Sequence, residues 1–472
     1  MKLCCSTAPS TMAEAFAKIK LAKNKADVIE LRVDGISDLD LALLLKPPRP
    51  PCIITHRLES EGGKFKDGMK EHLQILLSAM RLGAEYVDVE LRCGINAIET
   101  LLQHATKTKI IVSSHNFQKM PADLLTLYHR MESTGAHILK IAVMAKDITD
   151  NQHLFALLNL AHSRKRKLIA LCMGERGEIS RILQGKYHGY LTYAPLDDSE
   201  ATAPGQRSLQ DLIKIFRVPI LTTRTKVFGL IGNPVSHSKG IYFHNKIFKQ
   251  KKLSAVYVNF LVDNLPQFIN TYRNFAQGFS VTMPYKQEIL PLLDTVEPEI
   301  SVLKAVNTVI NRTNNLHGMN LDFAAIVACL KKRLSMKGKR VTILGTGGTA
   351  RTMAIAALSL GAKPAIVGRN KMKAMGLALE FGCTWLSQDA LNEIHTDVVV
   401  NATSVGMNST KDIPFNVHRI LRSTMTVFDA VYTPPVTPLL QKAEQAGCKI
   451  ISGEELFRTQ ARLQSKVFCQ AI

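Results

Sequence analysis

Residues 137–144 read HILKIAVM, a run in which Ile138, Leu139, Ile141 and Val143 surround one charged side chain, Lys140. A continuous apolar run of this length, without polar alternation, belongs to a strand covered on both faces, as in parallel α/β sheets. Seven further runs share its character: KLCCS, ADVIELRV, PCIITHR, EYVDVEL, KIIVSSH, KLIALCM and YLTYA, separated by amphipathic helical stretches. Eight strands alternating with helices over the first 215 residues predict a (βα)8 barrel, although an open doubly wound sheet shows the same alternation. Cys4 and Cys5 read as part of a buried first strand.

Taken alone, Lys140 would be read as a side chain that carries its ammonium to the surface, because burying that charge unpaired costs several kcal/mol. Its neighbours change the reading. In a barrel the chemistry collects where strands end, and polar residues stand late in several runs. Glu30 and Arg32 are two apart and share a face, Arg57 ends the third run, and His115 ends the fifth. A neutral lysine amine attacks a ketone to give an imine, which serves as an electron sink. Burial and the cations Arg32, Arg57 and Arg181 would favour the neutral amine. His115 would titrate near neutrality and move protons, Glu61 would hold its imidazole in one tautomer, and the arginines would grip a carboxylate.

Composition restricts the alternatives. Of 472 residues 46% are apolar and 21% charged, there is no low-complexity tract, and no apolar run approaches a membrane span. The start, MKLCCSTAPSTMAEAFAKIK, has neither the apolar core of a signal peptide nor transit-peptide character, so a cytoplasmic protein is expected. Nine scattered cysteines without a C-x-x-C pair predict free thiols, with neither disulfides nor a metal site. The net charge of +21 raises the question of nucleic acid, but the basic residues are dispersed. They suit anionic small molecules better, so neither a nucleic-acid nor a membrane partner is expected.

After a linker, RVPILTTRTK, a second alternating pattern begins at KVFGLIGNPVSHS. At 340–351 RVTILGTGGTAR places a strand directly before a glycine-rich turn and a helix, the context of a Rossmann-like domain. Gly345, Gly347 and Ala350 fit the dinucleotide spacing, with Gly348 inside the turn. The next strand ends in AIVGRNKMK, offering Arg369 and Lys373 with no acidic residue for a ribose 2'-hydroxyl, which favours NADP(H) over NAD. Lys286 in SVTMPYK and Asp322 in GMNLD form a candidate pair for proton transfer to a carbonyl oxygen. The predicted domains are a barrel at 1–217, an α/β substrate domain at 227–330, a Rossmann-like domain at 331–450 and a helical segment at 451–472.

The segments VIELRVD, THRLESEGG, SSHNF, LKIAV, MGERGEISR and TAPGQ, in this order, resemble the type I 3-dehydroquinate dehydratases. The resemblance implies a (βα)8 barrel that dehydrates 3-dehydroquinate to 3-dehydroshikimate through a Schiff base on Lys140. His115 would be the general acid/base and Glu61 its partner. Substrate contacts would come from Glu30, Arg32, Arg57, Arg181, Thr202 and Gln206, with Thr202 standing where many members have serine. A class I aldolase also uses a barrel lysine but has no need of E-x-R or of the M-G-x-x-G-x-x-S-R loop.

Across 227–461, GNPVSHS, SVTMPYK, AVNT, GMNLD, GTGGTAR, NATSVGM, DAVYTPPVTPLL and GEELFRTQA resemble the shikimate dehydrogenases, which reduce 3-dehydroshikimate to shikimate with NADPH. This resemblance implies catalytic roles for Lys286 and Asp322 and substrate contacts from Ser238, Thr282, Asn307, Tyr432 and Gln460. It places the cofactor on the Gly345–Ala350 turn, Arg369, Lys373, Thr403, Ser404, Met407 and Gly453. Three departures stand out: Gly240 replaces a serine of the H-S-x-S-P motif, Leu321 a threonine, and Lys304 a glycine. Weaker or altered substrate binding is expected. The two reactions are consecutive, so the chain resembles the bifunctional dehydratase/dehydrogenase enzymes of the shikimate pathway; the alternative is a quinate- or shikimate-sensing regulator without turnover.

Overall fold

Strands β1 (Lys2–Thr7), β2 (Val28–Arg32), β3 (Cys52–Thr55), β4 (Tyr86–Glu90), β5 (Lys109–Asn116), β6 (Ile138–Met144), β7 (Leu168–Met173) and β8 (Leu191–Ala194) are parallel neighbours in the order β7-β6-β5-β4-β3-β2-β1-β8. Tyr190, just before β8, donates its N–H to the Leu168 carbonyl at the start of β7 (2.9 Å). The sheet is therefore a nearly closed barrel, not the open doubly wound alternative. The structure is a computed structural model that describes residues 1–66, 68–407 and 411–472. It contains two compact units, Met1–Ala276 and Gln277–Ile472.

The period-two pleat explains how the barrel combines a core with a site. One inward layer is apolar: Cys4, Val28, Ile53, Tyr86, Ile111, Ile138, Ile169 and Leu191 pack as one cluster. Two residues further along the same strands come Ser6, Glu30, Thr55, Asp88, Ser113, Lys140, Leu171 and Tyr193. The apolar layer closes the floor by hydrophobic burial. Apart from Leu171 and Tyr193, which pack with the apolar cluster, the next layer is polar, and these members survive burial by bonding to one another.

The first unit also holds β9 (Lys226–Gly232) and β10 (Ala255–Leu261), paired in parallel over seven positions. Arg176 forks onto Asp263 (2.5 and 2.8 Å), and the Tyr272 hydroxyl donates to the Ile148 carbonyl (2.7 Å). These contacts fasten the β9–β10 segment to the barrel helices.

In the second unit β11 (Gly278–Val281) pairs antiparallel with β13 (Thr308–Arg312), and β13 with β14 (Asn315–Met319); β12 (Thr295–Val296) runs parallel to β14. A second sheet is wholly parallel. Its strands are β15 (Arg340–Leu344), β16 (Lys363–Val367), β17 (Thr384–Leu386), β18 (Val398–Asn401), β19 (Thr426–Asp429) and β20 (Lys449–Ile451), in the order β17-β16-β15-β18-β19-β20. The order reverses between β15 and β18, the position where doubly wound sheets hold ligands. Successive residues feed opposite cores: Val341, Ile343, Val398 and Val400 pack with the helix Gly348–Ser359 on one face. Leu344, Val399 and Val427 pack with the helix Pro438–Gln445 on the other. Among the described residues no helix is long and apolar enough to cross a membrane.

Candidate active sites

In the barrel, the polar layer forms one connected network. Lys140 Nζ donates to Asp88 Oδ2 (2.9 Å) and Glu30 Oε1 (3.3 Å) and lies 4.3 Å from the centroid of the Tyr193 ring. Ser6 Oγ donates to Glu30 Oε2 (2.6 Å), and Thr55 Oγ1 to Glu30 Oε1 (3.1 Å). Arg57, also buried, binds Asp88 (2.9 Å), Glu90 (2.9 Å) and Ser113 Oγ (2.9 Å). Two flanking cations hold the Asp88 carboxyl below the usual range despite complete burial.

Above this layer lie His115 and Glu61. Glu61 Oε2 accepts from His115 Nδ1 (2.8 Å) and from the His115 backbone N–H (3.2 Å), so Nε2 is the ring nitrogen left for the cavity. Burial pushes the Glu61 carboxyl up to about 7. Burial and the charges of Arg57 and Lys140 push His115 well below its ordinary value. Burial thus disfavours the charged form of both groups, and His115 is held below the near-neutral range expected of it from the sequence.

One cavity is lined by Glu30, Arg32, Arg57, Glu61, His115, Lys140, Arg181, Thr202 and Gln206, that is, by every residue singled out in this half. Arg32 is steadied by Asp34 (2.7 Å) and the Gly62 carbonyl (3.0 Å). Thr202 Oγ1 meets Ser6 Oγ (2.8 Å), and Gln206 Oε1 accepts the Thr202 N–H (2.8 Å). Burial pushes Arg181 down to about 10, and its Nε has no partner among the described residues. A second correction concerns Lys140. The sequence reading set its amine among cations, whereas the nearest groups are two carboxylates, and Arg57 spends its charge on Asp88 and Glu90. Asp88, Glu90, Ser6 and Tyr193 were missed, although D-x-E in EYVDVEL repeats the two-residue spacing that exposed Glu30 and Arg32.

In the second unit Lys286 Nζ donates to Asp322 Oδ2 at 2.5 Å. Asn320 caps the helix Leu321–Arg333 through the Phe323 N–H (3.2 Å), which presents Asp322 on its first turn. Asn307 is buried; its Oδ1 accepts from the Leu321 N–H (2.8 Å) and its Nδ2 has no partner among the described residues. Gln464, missed in the sequence, bonds the Asn307 carbonyl (3.0 Å) and Thr308 Oγ1 (2.8 Å). Gln460 is half-buried one turn earlier on the same helix, Gly453–Gln470. Thr282 is half-buried just after β11, and Tyr432 stacks on Phe457 (5.6 Å). Ser238 lies in the first unit, where its Oγ accepts the N–H of Gly240 (3.1 Å); a Cβ at Gly240 would lie 3.2 Å from that oxygen. Lys304 keeps the left-handed backbone (φ 48°) that suits the glycine it replaces.

The dinucleotide turn sits at the end of β15. Gly345 has φ 120°, and a Cβ there would lie 3.0 Å from the Ala402 carbonyl, so only glycine lets the neighbouring loop pass. A Cβ on Gly347 or Gly348 would meet nothing within 4 Å, leaving open space at the N-terminus of the helix Gly348–Ser359, and Ala350 is buried behind it. That opening and the free helix N–H groups fit a pyrophosphate. Arg369 and Lys373 are exposed around the turn that follows β16. The Thr403–Met407 loop is shaped by Asn401, whose Oδ1 accepts from Thr403 Oγ1 (2.7 Å) and whose Nδ2 donates to Asp429 (2.9 Å). Within it Ser404 accepts the Met407 N–H through its carbonyl (3.0 Å). Gly453 begins the last helix pressed against Val431, where a Cβ would come within 2.3 Å of a carbonyl oxygen.

The family model described as type I 3-dehydroquinase matches residues 3–220, and that of the shikimate dehydrogenase substrate binding domain matches residues 230–309. The chain is 37% identical over 491 residues to the chloroplastic bifunctional 3-dehydroquinate dehydratase/shikimate dehydrogenase of Arabidopsis thaliana, spanning 97% of this chain and 81% of that one. It is 28% identical over 475 residues to the shikimate biosynthesis protein AroDE of Chlamydia pneumoniae, spanning 98% and 94%. Among solved structures it is similar to the shikimate dehydrogenase of Aquifex aeolicus, with a TM-score of 0.50 and 31% identity over 52% of this chain and 94% of that one. It is also similar to the Listeria monocytogenes shikimate 5-dehydrogenase in complex with shikimate and NAD, with a TM-score of 0.50 and 28% identity over 53% and 94%. Both halves, with their two lysines in two kinds of site, find their relatives in a single kind of enzyme: the chain belongs to the bifunctional 3-dehydroquinate dehydratase/shikimate dehydrogenases, a lyase and an oxidoreductase of the shikimate pathway on one polypeptide.

Proposed function

We propose that Lys140 forms the Schiff base with 3-dehydroquinate and that Lys286 and Asp322 handle the proton in the reduction of 3-dehydroshikimate. The observation that supports the first role is the placement of Lys140 at the floor of the barrel cavity, held by Asp88 and Glu30 under His115. Once the ammonium has passed a proton to His115, the neutral amine attacks the ketone to give a carbinolamine, and return of that proton to the carbinolamine hydroxyl expels water and leaves the iminium. His115 Nε2 removes the proton next to the iminium carbon while Glu61 steadies Nδ1–H, and the β-hydroxyl leaves as water protonated by the same imidazole. Arg57 and Arg181 supply positive charge at the cavity wall; Arg32, Thr202 and Gln206 orient the carboxylate and hydroxyls.

In the second half the Lys286–Asp322 pair delivers a proton to the carbonyl oxygen as it becomes a hydroxyl. NADPH, when bound, supplies the hydride. The Gly345–Ala350 turn would hold its pyrophosphate, Arg369 and Lys373 its 2'-phosphate, and the Thr403–Met407 loop its nicotinamide end. Asn307 Nδ2, Thr282, Tyr432 and Gln460 would hold shikimate hydroxyls and carboxylate. The working division is the barrel at 1–217, the substrate domain at 227–330, the Rossmann-like domain at 331–450 and the closing helix at 451–472. Nine free thiols support a reducing, cytoplasmic setting, and the dispersed positive charge supports anionic small-molecule substrates.

Separate assays of the two reactions on full-length protein test these assignments. Lys140→Ala should abolish dehydration of 3-dehydroquinate and spare shikimate oxidation with NADP, and Lys286→Ala should do the reverse. Loss of both activities in either variant despite a native circular dichroism spectrum would overturn the division of labour.

A further inference from the structure

Behind the substrate cavity three ligand-type atoms converge that neither reaction uses. Glu90 ends β4, Cys93 closes the short turn Leu91–Cys93 after it, and His72 lies in the first turns of the helix Met69–Arg81. His72 Nε2 is 3.5 Å from Glu90 Oε2 and 3.7 Å from Cys93 Sγ, and Cys93 Sγ is 3.8 Å from Glu90 Oε2. A tetrahedral zinc ion, with bonds of about 2.0–2.1 Å to nitrogen and oxygen and about 2.3 Å to sulfur, holds such atoms about 3.3–3.6 Å apart. The triangle therefore needs to contract by about 0.2 Å per edge to become a ligand set.

The supporting contacts are also those of metal ligands. Glu90 Oε1 is engaged by Arg57 Nη1 (2.9 Å) and the Leu58 N–H (3.1 Å), which leaves Oε2 to face the other two atoms. His72 Nδ1 is 3.3 Å from His56 Nδ1, a contact that fixes the ring with Nε2 toward Glu90 and Cys93. His72 and Glu90 are buried, and Cys93 is half-exposed, giving an ion a way in. We propose that His72 Nε2, Glu90 Oε2 and Cys93 Sγ bind a divalent ion of the zinc class, with water completing the tetrahedron.

One thiolate and one carboxylate balance the two positive charges. Without the ion, burial and the Glu90 charge push the Cys93 thiol up to about 12, so uptake displaces a proton: the S–H bond breaks, the metal–sulfur bond forms, and the proton leaves to solvent. Burial pushes both imidazoles down, His56 to about 4, so His72 offers a neutral ring and His56 a neutral acceptor. Because Glu90 also grips Arg57, which in turn binds Asp88, the ion would act as a positioning element for the floor of the barrel site. No C-x-x-C motif announces this set: its residues come from a strand end, a turn and a separate helix.

Full-length protein stripped by chelator and titrated with Co2+ provides the test. The expected result is one equivalent bound, with visible bands of a tetrahedral site and a near-ultraviolet thiolate-to-cobalt band, both displaced by Zn2+. Cys93→Ser should lose the thiolate band and weaken binding at least about tenfold, whereas Cys329→Ala should keep both. In the unmodified chain Zn2+ should also protect Cys93 from alkylation, read by peptide mass spectrometry. Absence of the thiolate band, its persistence in Cys93→Ser, or alkylation of Cys93 that Zn2+ does not slow would show that His72, Glu90 and Cys93 form a hydrogen-bonded cluster and overturn the proposal.

Discussion

Lys140 and Lys286 each face a carboxylate, yet their surroundings are opposites. The Lys140 side chain is 6% exposed, sits between Asp88 and Glu30, and connects through them to Arg57, Glu90, Ser6 and Thr55. The Lys286 side chain is 37% exposed and, among the described residues, pairs with Asp322 alone, itself 28% exposed. The proposed tasks account for the difference. A Schiff-base amine must be desolvated and aimed before substrate arrives, which demands a rigid network. A proton donor to a passing carbonyl must reach its substrate and exchange with solvent afterwards, which a half-open pair does well.

The sharpest way to break this contrast is to remove one carboxylate from each site. Asp88→Asn strands part of the charge of Lys140 and Arg57 in the interior and should cost about 3–5 kcal/mol, read from urea unfolding of the full chain. Asp322→Asn should change stability by less than about 1 kcal/mol, since the pair is solvated, while lowering dehydrogenase kcat about 100-fold. Equal destabilisation by the two substitutions would end the distinction.

The next effect separates the sites by pH. Burial holds Glu61 in its neutral form up to about 7, so the folded state binds an extra proton between the ordinary carboxyl range and 7. This group therefore lowers stability as pH rises through that window, the sign expected of a strained functional carboxyl. Protonated Glu61 no longer accepts from His115 Nδ1, so dehydratase kcat/KM should fall on the acid side of about 7, by up to about tenfold per unit. In Glu61→Gln that limb should flatten at a lower plateau, and the stability gained over the parent should be greater at pH 8 than at pH 5. Dehydrogenase activity should not follow this limb.

Smaller effects sharpen the second site. Arg369→Ala combined with Lys373→Ala should raise KM for NADPH about tenfold with little change in KM for NADH, because exposed cations read the 2'-phosphate alone. Lys304→Gly should stabilise the chain by about 1 kcal/mol in thermal unfolding, by relieving a left-handed lysine.

The barrel was legible because its eight apolar runs are covered on both faces, and its site because the pleat repeats every two residues: Glu30 with Arg32, and His115 late in its strand. What the sequence did not reveal was partnership across strands. Asp88 is visible in EYVDVEL, but that it faces Lys140 depends on barrel closure and stagger, which no local pattern encodes. Without Asp88 the arginines dominated the expected surroundings of the amine, and without the burial of the His115–Glu61 pair the imidazole was expected to titrate near neutrality. In the second half the glycine turn and Lys286–Asp322 could be found from motifs. Gln464 could not, because it is one polar residue on an amphipathic helix and acquires meaning only against the Asn307 carbonyl. The Lys304 departure was visible as a change of letter; its consequence lay in a backbone angle.

The central claim is that Lys140 is the amine that bonds to 3-dehydroquinate. Incubation of the full chain with 3-dehydroquinate and borohydride, followed by peptide mass spectrometry, tests it directly. The account predicts one reduced adduct, on Lys140, absent from Lys140→Ala and unaffected by Lys286→Ala. An adduct that persists in Lys140→Ala, or that maps to Lys286, would contradict it.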